Sequence, residues 1–296
     1  MIRVKVPATS ANLGPGFDSM GLCLGLYNEY EFEETEKGIE IVQDGFNYKN
    51  CPPERNLIYK AMKAVFDECG KSPRGIKIKI ESNIPATRGL GSSAACIIGG
   101  MVGANAMYGL LGPRDILNLA SKMEHHPDNV VPCLMGGFTV SYFDGKDVTY
   151  SKFNLGDEIS LAVIYPDSKL STGKARTTLP YKVSHQDAAF NASHAALVVS
   201  AIAGKKYHLL GEAMEDKLHQ PYRMKMIPDM EEIFKMYKEA GAYGAYLSGS
   251  GPALAAIIPT KDKESFRNFV TEKLSEKNYN FDIFGFDNMG TYVRKL

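Results

Sequence analysis

The stretch Pro85–Ala95 (Pro-Ala-Thr-Arg-Gly-Leu-Gly-Ser-Ser-Ala-Ala) constrains the fold of this chain more than any other feature. Its glycines and serines precede an alanine-rich run, and no charged residue occurs from Gly89 to Pro113, which is typical of a helix buried in a domain core. In such a loop, consecutive backbone N–H groups point toward one centre, and the helix dipole adds positive potential there. The stretch therefore predicts a phosphate-binding loop at the start of a central helix.

Two other phosphate-binding folds fit the sequence poorly. Residues 89–94 match the dinucleotide pattern G-x-G-x-x-A, with Asp115 at about the right distance, but residues 82–88 separate them from the preceding strand. Residues 70–72 (Gly-Lys-Ser) resemble the end of a Walker loop, but Val65 stands where the first glycine of that pattern is required. We therefore expect neither a Rossmann fold nor a P-loop, and we expect a plain helix end at residue 70.

Composition limits the partners and the compartment. Lys plus Arg equals Asp plus Glu at 34 each, so no excess positive charge favours nucleic acid or an anionic membrane. The uncharged run is long enough to span a membrane, but its glycines and Asn105 favour a buried helix instead. Five scattered cysteines without a C-x-x-C pair, and a start that lacks the apolar core of a signal peptide, predict a cytoplasmic location.

The hydrophobic patterns predict an α+β protein with two domains. Strand-like and helix-like segments mix without regular βα alternation. The pattern of these segments changes near residue 156, so we expect domains over 1–155 and 156–296. At the start, Arg3–Val6 alternates as a strand, and we expect a loop over Pro7–Asp18. In the second half, Tyr207–Leu218 is predicted to be helical.

Titratable residues outside the glycine loop are ambiguous when taken one at a time. Residues 124–129 (Glu-His-His-Pro-Asp-Asn) suit a solvated helix end, and their spacing does not match a zinc site, although a single Glu facing a phosphate loop could hold Mg²⁺. Asn12 and Asp18 fit turn positions. Arg176 and Arg223 are by default surface residues, but arginine is also suited to grip a carboxylate through two parallel hydrogen bonds.

In this order, the segments resemble the family of small-molecule kinases that includes galactokinase, homoserine kinase, mevalonate kinase and phosphomevalonate kinase. The resemblance covers nearly the whole chain. The stretch 85–95 is similar to the family's P-x-x-x-G-L-G-S-S-A motif, and Ser248–Pro252 is similar to its C-terminal glycine motif. Four further segments are most similar to the homoserine kinase branch, and they are Pro7–Asp18, His126–Pro132, Ser171–Arg176 and Pro221–Arg223. The implied fold has an N-terminal ATP-binding domain (ribosomal protein S5 domain 2-like) and a C-terminal ferredoxin-like α/β domain.

The resemblance implies ATP-dependent phosphorylation of the side-chain hydroxyl of L-homoserine, a step of threonine biosynthesis, with Mg²⁺ and in a homodimer. Asp18 would hold the ammonium group of the amino acid, and Arg176 and Arg223 would hold its carboxylate. The implied amino-acid site comprises Asn12, Asp18, His126, Asn129, Thr172, Arg176 and Arg223. The implied ATP site comprises Pro85, Ala86, Thr87, Arg88, Gly89, Leu90, Gly91, Ser92, Ser93, Ala94, Ala95 and, on the adenine side, Asn56. Mg²⁺ would be bound by Ser92 and Glu124.

One departure within the family bears on mechanism. Several relatives have a catalytic Asp and a Lys near the acceptor hydroxyl, whereas the residue equivalent to that Asp is Asn129 here. An amide cannot accept the proton, so we expect catalysis by alignment and charge stabilisation, with Arg176 among the catalytic groups. The proton would pass to the γ-phosphate or to solvent, and Asp128 is the rival base.

The sequence also departs from the family pattern at two positions and leaves two alternative functions open. His125 stands where the family more often has Gly, so we expect an altered turn with unchanged ligands, and Arg88 stands where small residues are common, which predicts an added contact to ATP. The alternatives are a sister kinase that acts on another small alcohol and a non-catalytic sensor of ATP or an amino acid.

Overall fold

The structure is a computed structural model that describes residues 1–43, 46–47, 52–167 and 175–295. It confirms the α+β class, because two separate sheets are covered by helices without regular alternation. The strands of the described chain are β1 (Ile2–Ala11), β2 (Met20–Thr35), β3 (Gly38–Gln43), β4 (Phe46–Asn47), β5 (Gly75–Glu81), β6 (Phe138–Phe143), β7 (Val148–Phe153), β8 (Ile159–Pro166), β9 (Gly244–Leu247), β10 (Leu254–Pro259), β11 (Tyr279–Phe284) and β12 (Tyr292–Lys295). The helices are α1 (Leu57–Glu68), α2 (Ser92–Tyr108), α3 (Pro113–Glu124), α4 (Val130–Met135), α5 (His185–Ala203), α6 (Leu210–Ala213), α7 (Gln220–Arg223), α8 (Met230–Glu239) and α9 (Lys263–Leu274).

The first sheet has the strand order β12-β1-β2-β5-β3-β4, and the long strand β2 also pairs with the β6–β7 hairpin. Helix α2 lies directly on this sheet because its glycines permit a close approach: a Cβ on Gly99 would fall 2.3 Å from the Tyr30 ring, and one on Gly103 would fall 2.4 Å from Phe32. The buried-helix interpretation of the uncharged run is therefore confirmed. None of the helices in the described ranges combines the length and the apolar character that crossing a membrane requires.

The predicted loop over Pro7–Asp18 is wrong in its first part. Strand β1 continues to Ala11 and pairs with β2 along its whole length, with a bulge between Pro7 and Ala8. The proline is compatible with the sheet because β12 pairs with β1 only as far as Lys5, so no strand on that side needs the missing N–H. Asn12, the first residue after the strand, is consequently buried.

The second sheet is antiparallel, with the strand order β11-β8-β10-β9 and with α8 and α9 packed on one face. The helix predicted over Tyr207–Leu218 is wrong as a single element: a 3₁₀ turn ends at Leu209, and α6 ends at Ala213. The side chain of Asp216 accepts hydrogen bonds from the backbone N–H groups of residues 218 to 220, which offers the chain an alternative to continuing the helix.

The chain passes from one sheet to the other between β7 and β8, where the sequence predicts the domain boundary at residue 155. The second sheet uses residues 159–284, but β12 then returns to the edge of the first sheet and pairs with β1. The partition into 1–155 and 156–296 stays a prediction. The last strand, β12, lies within the second range but belongs to the first sheet. The glycine loop contacts the turn between β9 and β10, so it faces the second sheet.

Candidate functional site

The glycine loop has a backbone that only glycine adopts readily. Gly89 and Gly91 have φ angles of +79° and +68°, in the left-handed region, and Gly91 is the N-terminal cap of α2. A Cβ on Gly91 would fall 1.9 Å from the Thr9 hydroxyl oxygen, and one on Gly89 would fall 2.3 Å from the carbonyl oxygen of Ser248. The loop is therefore held between β1 and the turn formed by Ser248–Pro252. The N–H groups of the first turn of α2, which have no partner within the helix, lie at a cleft lined by Ser92 and Ser93.

The second sheet holds this loop from the other side. The Ser248 hydroxyl donates to the carbonyl of Gly89 at 2.5 Å, and the N–H of Ala253 donates to the carbonyl of Arg88 at 3.1 Å. The Arg88 guanidinium donates to the backbone carbonyls of Ala86, Pro166 and Asp167, so it ties the loop to the end of β8. In this structure Arg88 does not face the cleft, and its expected contact to ATP stays a prediction.

A cleft of about 340 Å³ collects most of the residues that the sequence singled out. It is lined by Asn12, Phe17, Asp18, Leu57, Ala86, Thr87, Gly89, Gly91, Ser92, Ser93, Cys96, Glu124, His126, Asp128, Asn129, Arg176, Arg223, Gly249 and Ser250. Thr172 lies outside the described residues. Asn56 does not line the cleft: its side-chain oxygen caps α1 by accepting from the N–H of Tyr59 at 3.1 Å.

Opposite charges meet at one end of the cleft. The carboxylate of Asp18 accepts two hydrogen bonds from Arg176, at 2.8 and 2.9 Å, in the bidentate arrangement that is strong between these groups. Arg223 is 2% exposed, and burial, followed by the charge of Arg176, lowers its pKa to about 10. The two guanidinium groups lie 5.3 and 5.2 Å from the centre of the Phe17 ring. This end of the cleft can therefore bind a carboxylate and an ammonium group side by side.

A second cluster of polar side chains, His126, Asp128 and Asn129, directly precedes α4. His126 Nδ1 lies 2.6 Å from Asp128 Oδ1, which also accepts from the Asn129 side chain at 3.2 Å. The hydroxyl of Thr9 donates to Asn129 Oδ1 at 2.8 Å, which turns the amide N–H₂ toward Asp128. Burial lowers the pKa of His126, but the negative charge and hydrogen bond of Asp128 outweigh it and raise this pKa to about 9. His126 is thus a cation at neutral pH.

The groups that could hold a cation lie at the helix N-terminus and at the charged end of the cleft. Glu124 accepts from the Ser93 hydroxyl at 2.8 Å, so in this structure Ser93 rather than Ser92 contacts the glutamate. Burial raises the pKa of Glu124, which means that its carboxylate lacks full charge compensation. Asp18, His126 and Asp128 also have ligand atoms within 4.8 Å of one another, but Arg176 and His126 already neutralise those carboxylates.

Several residues singled out by their sequence context have local structural roles. Asp115 accepts from the N–H of Gly112 at 2.9 Å and so closes the first turn of α3. Gly70, with a φ of +59°, follows the end of α1, which confirms a plain helix end there. His125 has a φ of +70° at the end of α3, which explains why glycine suits this position. At the position of the expected altered turn, His125 adopts the left-handed conformation that a glycine would adopt readily.

Two residues beside the cleft, Phe17 and His219, were not predicted from the sequence. Phe17 lies under both arginines, and His219, which is fully buried, stacks on its ring at 5.2 Å. A weak signal existed for each, because Phe17 directly precedes Asp18 and His219 lies four residues before Arg223. Their roles depend on contacts between distant segments, and no local pattern encodes such contacts.

Comparisons with known proteins identify the family of this chain. Residues 56–137, which include the glycine loop, match the GHMP kinases N terminal domain, and residues 198–276 match the GHMP kinases C terminal domain. The chain is 46% identical to a homoserine kinase of Caldicellulosiruptor bescii, over 99% of this chain and 97% of that protein. It is 43% identical to a homoserine kinase of Clostridium botulinum over the full length of both.

Solved structures show the same fold. The crystal structure of homoserine kinase from Cytophaga hutchinsonii superposes with a TM-score of 0.88 at 26% identity and covers 99% of this chain and 97% of that one. Mevalonate kinase of Methanococcus jannaschii shares the fold, with a TM-score of 0.72 at 17% identity over 97% and 98% of the two chains. The chain therefore belongs to the GHMP kinase family and, within it, to the homoserine kinases.

Proposed function

We propose that this protein transfers the γ-phosphoryl group of ATP to the side-chain hydroxyl of L-homoserine, forming O-phospho-L-homoserine for threonine biosynthesis. One observation carries this proposal: a single cleft combines a phosphate-binding glycine loop with Asp18, Arg176 and Arg223. The loop suits a nucleoside triphosphate, and the charged end suits the ammonium and carboxylate groups of a free amino acid. The curated homoserine kinases that resemble this chain over its full length support the same substrate.

The charged end favours a zwitterion over a neutral alcohol. Asp18 and Arg176 neutralise each other, so a ligand that separates them must replace both contacts. An ammonium group would replace the guanidinium at Asp18, while a carboxylate would join Arg176 to Arg223. A sugar would leave these charges without partners, which costs free energy in a partly buried site.

Phosphoryl transfer would proceed without a strong general base. Asn129 is a neutral amide, and its oxygen already accepts from Thr9. The rival, Asp128, already accepts hydrogen bonds at Oδ1 from the imidazolium of His126 and from the amide of Asn129, so this oxygen is engaged before a substrate hydroxyl arrives. Alignment of the hydroxyl with the γ-phosphate and stabilisation of the transferred charge by Arg176 and His126 are sufficient for this type of reaction. The proton leaves to the phosphate or to solvent.

Mg²⁺ fits the donor set at the start of α2. Glu124 is a carboxylate with a raised pKa and lies beside serine hydroxyls, and both groups supply the hard oxygen ligands that this ion prefers. The N–H groups at the start of the helix provide the adjacent phosphate site. We propose Ser92 and Glu124 as its protein ligands. When bound, the ion would neutralise charge on the phosphate oxygens of ATP.

Homoserine-dependent release of ADP is the decisive measurement. The purified protein with ATP and Mg²⁺ should release ADP with L-homoserine, and ³¹P NMR should show O-phosphohomoserine. The control panel contains mevalonate, galactose, L-serine and L-threonine at equal concentration. ADP release with mevalonate or galactose instead would identify a sister kinase. Binding of ATP and homoserine without ADP release would identify a sensor, and either result rejects the proposed function.

The proposal extends to the setting of the enzyme. We propose a cytoplasmic homodimer that binds neither nucleic acid nor membrane surfaces, in keeping with equal numbers of acidic and basic residues. Light scattering after size-exclusion chromatography would give the mass in solution. A mass near 32.5 kDa, that of one chain, would reject the dimer.

A further inference from the structure

His219 is a fully buried histidine that lies behind the cleft and does not line it. Its Nε2 lies 2.7 Å from the carbonyl oxygen of Gly14, and its Nδ1 lies 3.3 Å from Nη1 of Arg223. It therefore joins the loop that carries Phe17 and Asp18 to the helix that carries Arg223. No role in the reaction follows from its position alone, so the chemistry of its two nitrogens decides what it does.

The partners of its two nitrogens fix the tautomer of this ring, and Oδ2 of the buried Asp216, a further acceptor, lies 3.5 Å from Nε2. A carbonyl oxygen can only accept, so Nε2 must carry the proton and donate it to Gly14. A guanidinium can only donate, so Nδ1 must present its lone pair to Arg223. Burial lowers the pKa of His219, opposed by the charge of Asp216 and aided by that of Arg223, which favours the neutral ring and keeps this lone pair available beside a buried cation.

The donors of Arg223 show what this lone pair achieves. Its Nη1 donates to the carbonyl of Gly249 at 2.9 Å and to His219, and its Nε donates to the carbonyl of Ala175 at 3.4 Å. Among the described residues, no acceptor is paired with Nη2. Because the other donors are directed to fixed protein acceptors, the guanidinium cannot rotate, and Nη2 is the part that remains for a ligand in the cleft.

We infer, on the basis of the proposed function, that His219 is a positioning residue for the amino-acid substrate: its Nδ1 lone pair orients Arg223 so that Nη2 receives the substrate carboxylate. The stacking of His219 on Phe17 supports this arrangement, because the same aromatic ring lies beside the Arg223 guanidinium at 5.2 Å. His219 thereby selects for substrates with a carboxylate, although it does not touch them.

Two substitutions separate the two nitrogens of the ring. In His219→Gln the side-chain amide can replace Nε2 and donate to Gly14, but the acceptor near Arg223 is lost. In His219→Asn the amide oxygen can replace Nδ1 and accept from Arg223, but the bond to Gly14 is lost. We expect His219→Gln to raise the KM for homoserine about tenfold and His219→Asn to raise it less than about threefold, as loss of a hydrogen bond to a charged group predicts. The KM for ATP should stay within about twofold in both.

Two controls distinguish orientation of Arg223 from general loss of packing. With homoserinol, in which a hydroxymethyl group replaces the carboxylate, kcat/KM should be the same for His219→Gln and the parent protein. In an Arg223→Ala background, His219→Gln should not raise the KM for homoserine further. Equal effects of Gln and Asn, an effect that persists with homoserinol, or a parallel rise in the KM for ATP would each overturn the inference.

The unsubstituted protein provides a test that does not depend on the folding of variants. ¹⁵N NMR of the histidine side chains at pH 7 should show His219 as the neutral Nε2–H tautomer, and homoserine should shift the resonance of its Nδ1. An imidazolium or an Nδ1–H tautomer would overturn the inference even if homoserine is phosphorylated. Absence of phosphorylation by the parent protein would instead reject the proposed function, so the two failures are distinguishable.

Discussion

The two ends of the cleft are built in different ways. The end that we propose to bind phosphate, called the phosphate end, comes from one short stretch, the glycine loop and the first turn of α2, and it presents backbone N–H groups. The end that we propose to bind the amino acid, called the amino-acid end, comes from separate segments, with Asp18 after β1, Arg176 after β8 and Arg223 in α7, and it presents charged side chains. One end is therefore defined by backbone shape and the other by the placement of charge.

This difference determines what each end tolerates. At the phosphate end, the glycines touch Thr9 and Ser248 so closely that a single methyl group changes the loop. At the amino-acid end, the buried Arg223 and the paired Asp18 are held by hydrogen bonds, and loss of one charge leaves its partner without compensation. We therefore expect the phosphate end to be sensitive to size and the amino-acid end to be sensitive to charge.

The largest effect is expected from Gly91→Ala. The new Cβ would fall 1.9 Å from the Thr9 hydroxyl oxygen, and the residue would remain in the left-handed region, so the loop must move. Gly109→Ala is the matched control, because its φ of +69° is nearly the same and nothing lies within 4 Å of its added Cβ. We expect Gly91→Ala to lower kcat/KM for ATP by about 100-fold or more, and Gly109→Ala to lower only stability, by about 1 kcal/mol.

Steady-state kinetics with each substrate varied, together with urea unfolding, would measure both variants. Equal losses of activity in Gly91→Ala and Gly109→Ala would mean that left-handed strain, rather than the contact with Thr9, controls the loop. The phosphate end would then not be limited by size, and the contrast between the two ends would fail at that end.

A smaller effect is expected from Asp18→Asn at the amino-acid end. The amide keeps the shape of the carboxylate but removes the charge that would hold an ammonium group, so the KM for homoserine should rise roughly 10- to 100-fold, as for loss of one charged hydrogen bond. The KM for ATP should change less than about twofold. Asp67→Asn is the control, because it removes a carboxylate from an exposed ion pair with Lys63. A rise in the KM for ATP as large as that for homoserine would contradict the separation of the two ends.

The contrast also explains how much could be predicted from the sequence. The determinants of the phosphate end are contiguous, so the loop, the helix after it and the exclusion of other glycine motifs could be predicted from one stretch of the chain, residues 65–113. The amino-acid end could be assembled only through the resemblance to a family, because the pairing of Asp18 with Arg176 depends on segments that lie far apart in the chain. Local patterns carry no information on such distances.

The errors have equally specific causes. Pro7 suggested a loop, but the adjacent strand pairs only as far as Lys5, and this makes a proline acceptable in β1. The periodic residues after Tyr207 suggested one helix, but the side chain of Asp216 binds the backbone that would have continued it. In both cases a partner distant in the sequence, or a side-chain hydrogen bond, outweighed the local preference.

A still smaller effect on turnover is expected from Asp128→Asn. Because this carboxylate is already bound to His126 and Asn129, its loss as a proton acceptor should lower kcat by less than about tenfold, below the roughly 100-fold minimum that is typical of a general base. Quench-flow measurement of the chemical step would test this. Complete loss of turnover with unchanged binding of homoserine would instead make Asp128 the general base.

The same variant should change the pH dependence of stability. The pKa of His126 is raised to about 9 in the folded protein, against about 6.5 for an unperturbed histidine, so its contribution to stability is fully present below pH ~6.5 and is lost as the pH rises through 9. Asp128→Asn removes the charge that raises this pKa, so the fall in unfolding free energy between pH 6.5 and 9 should be smaller. Urea unfolding at several pH values would measure it, and an unchanged slope would contradict the assignment.

The smallest effect is expected from His125→Gly, at the boundary between the two ends. His125 has a left-handed backbone with a φ of +70° and an exposed side chain, while its neighbours Glu124 and His126 line the cleft. Glycine removes the strain but increases the entropy of the unfolded chain, so we expect a gain of about 0.5 kcal/mol in unfolding free energy. The KM values for both substrates should be unchanged, because the backbone of the turn already has the conformation that glycine prefers. Thermal unfolding and steady-state kinetics would test this, and a change in either KM would mean that the His125 side chain, and not the turn alone, shapes the cleft.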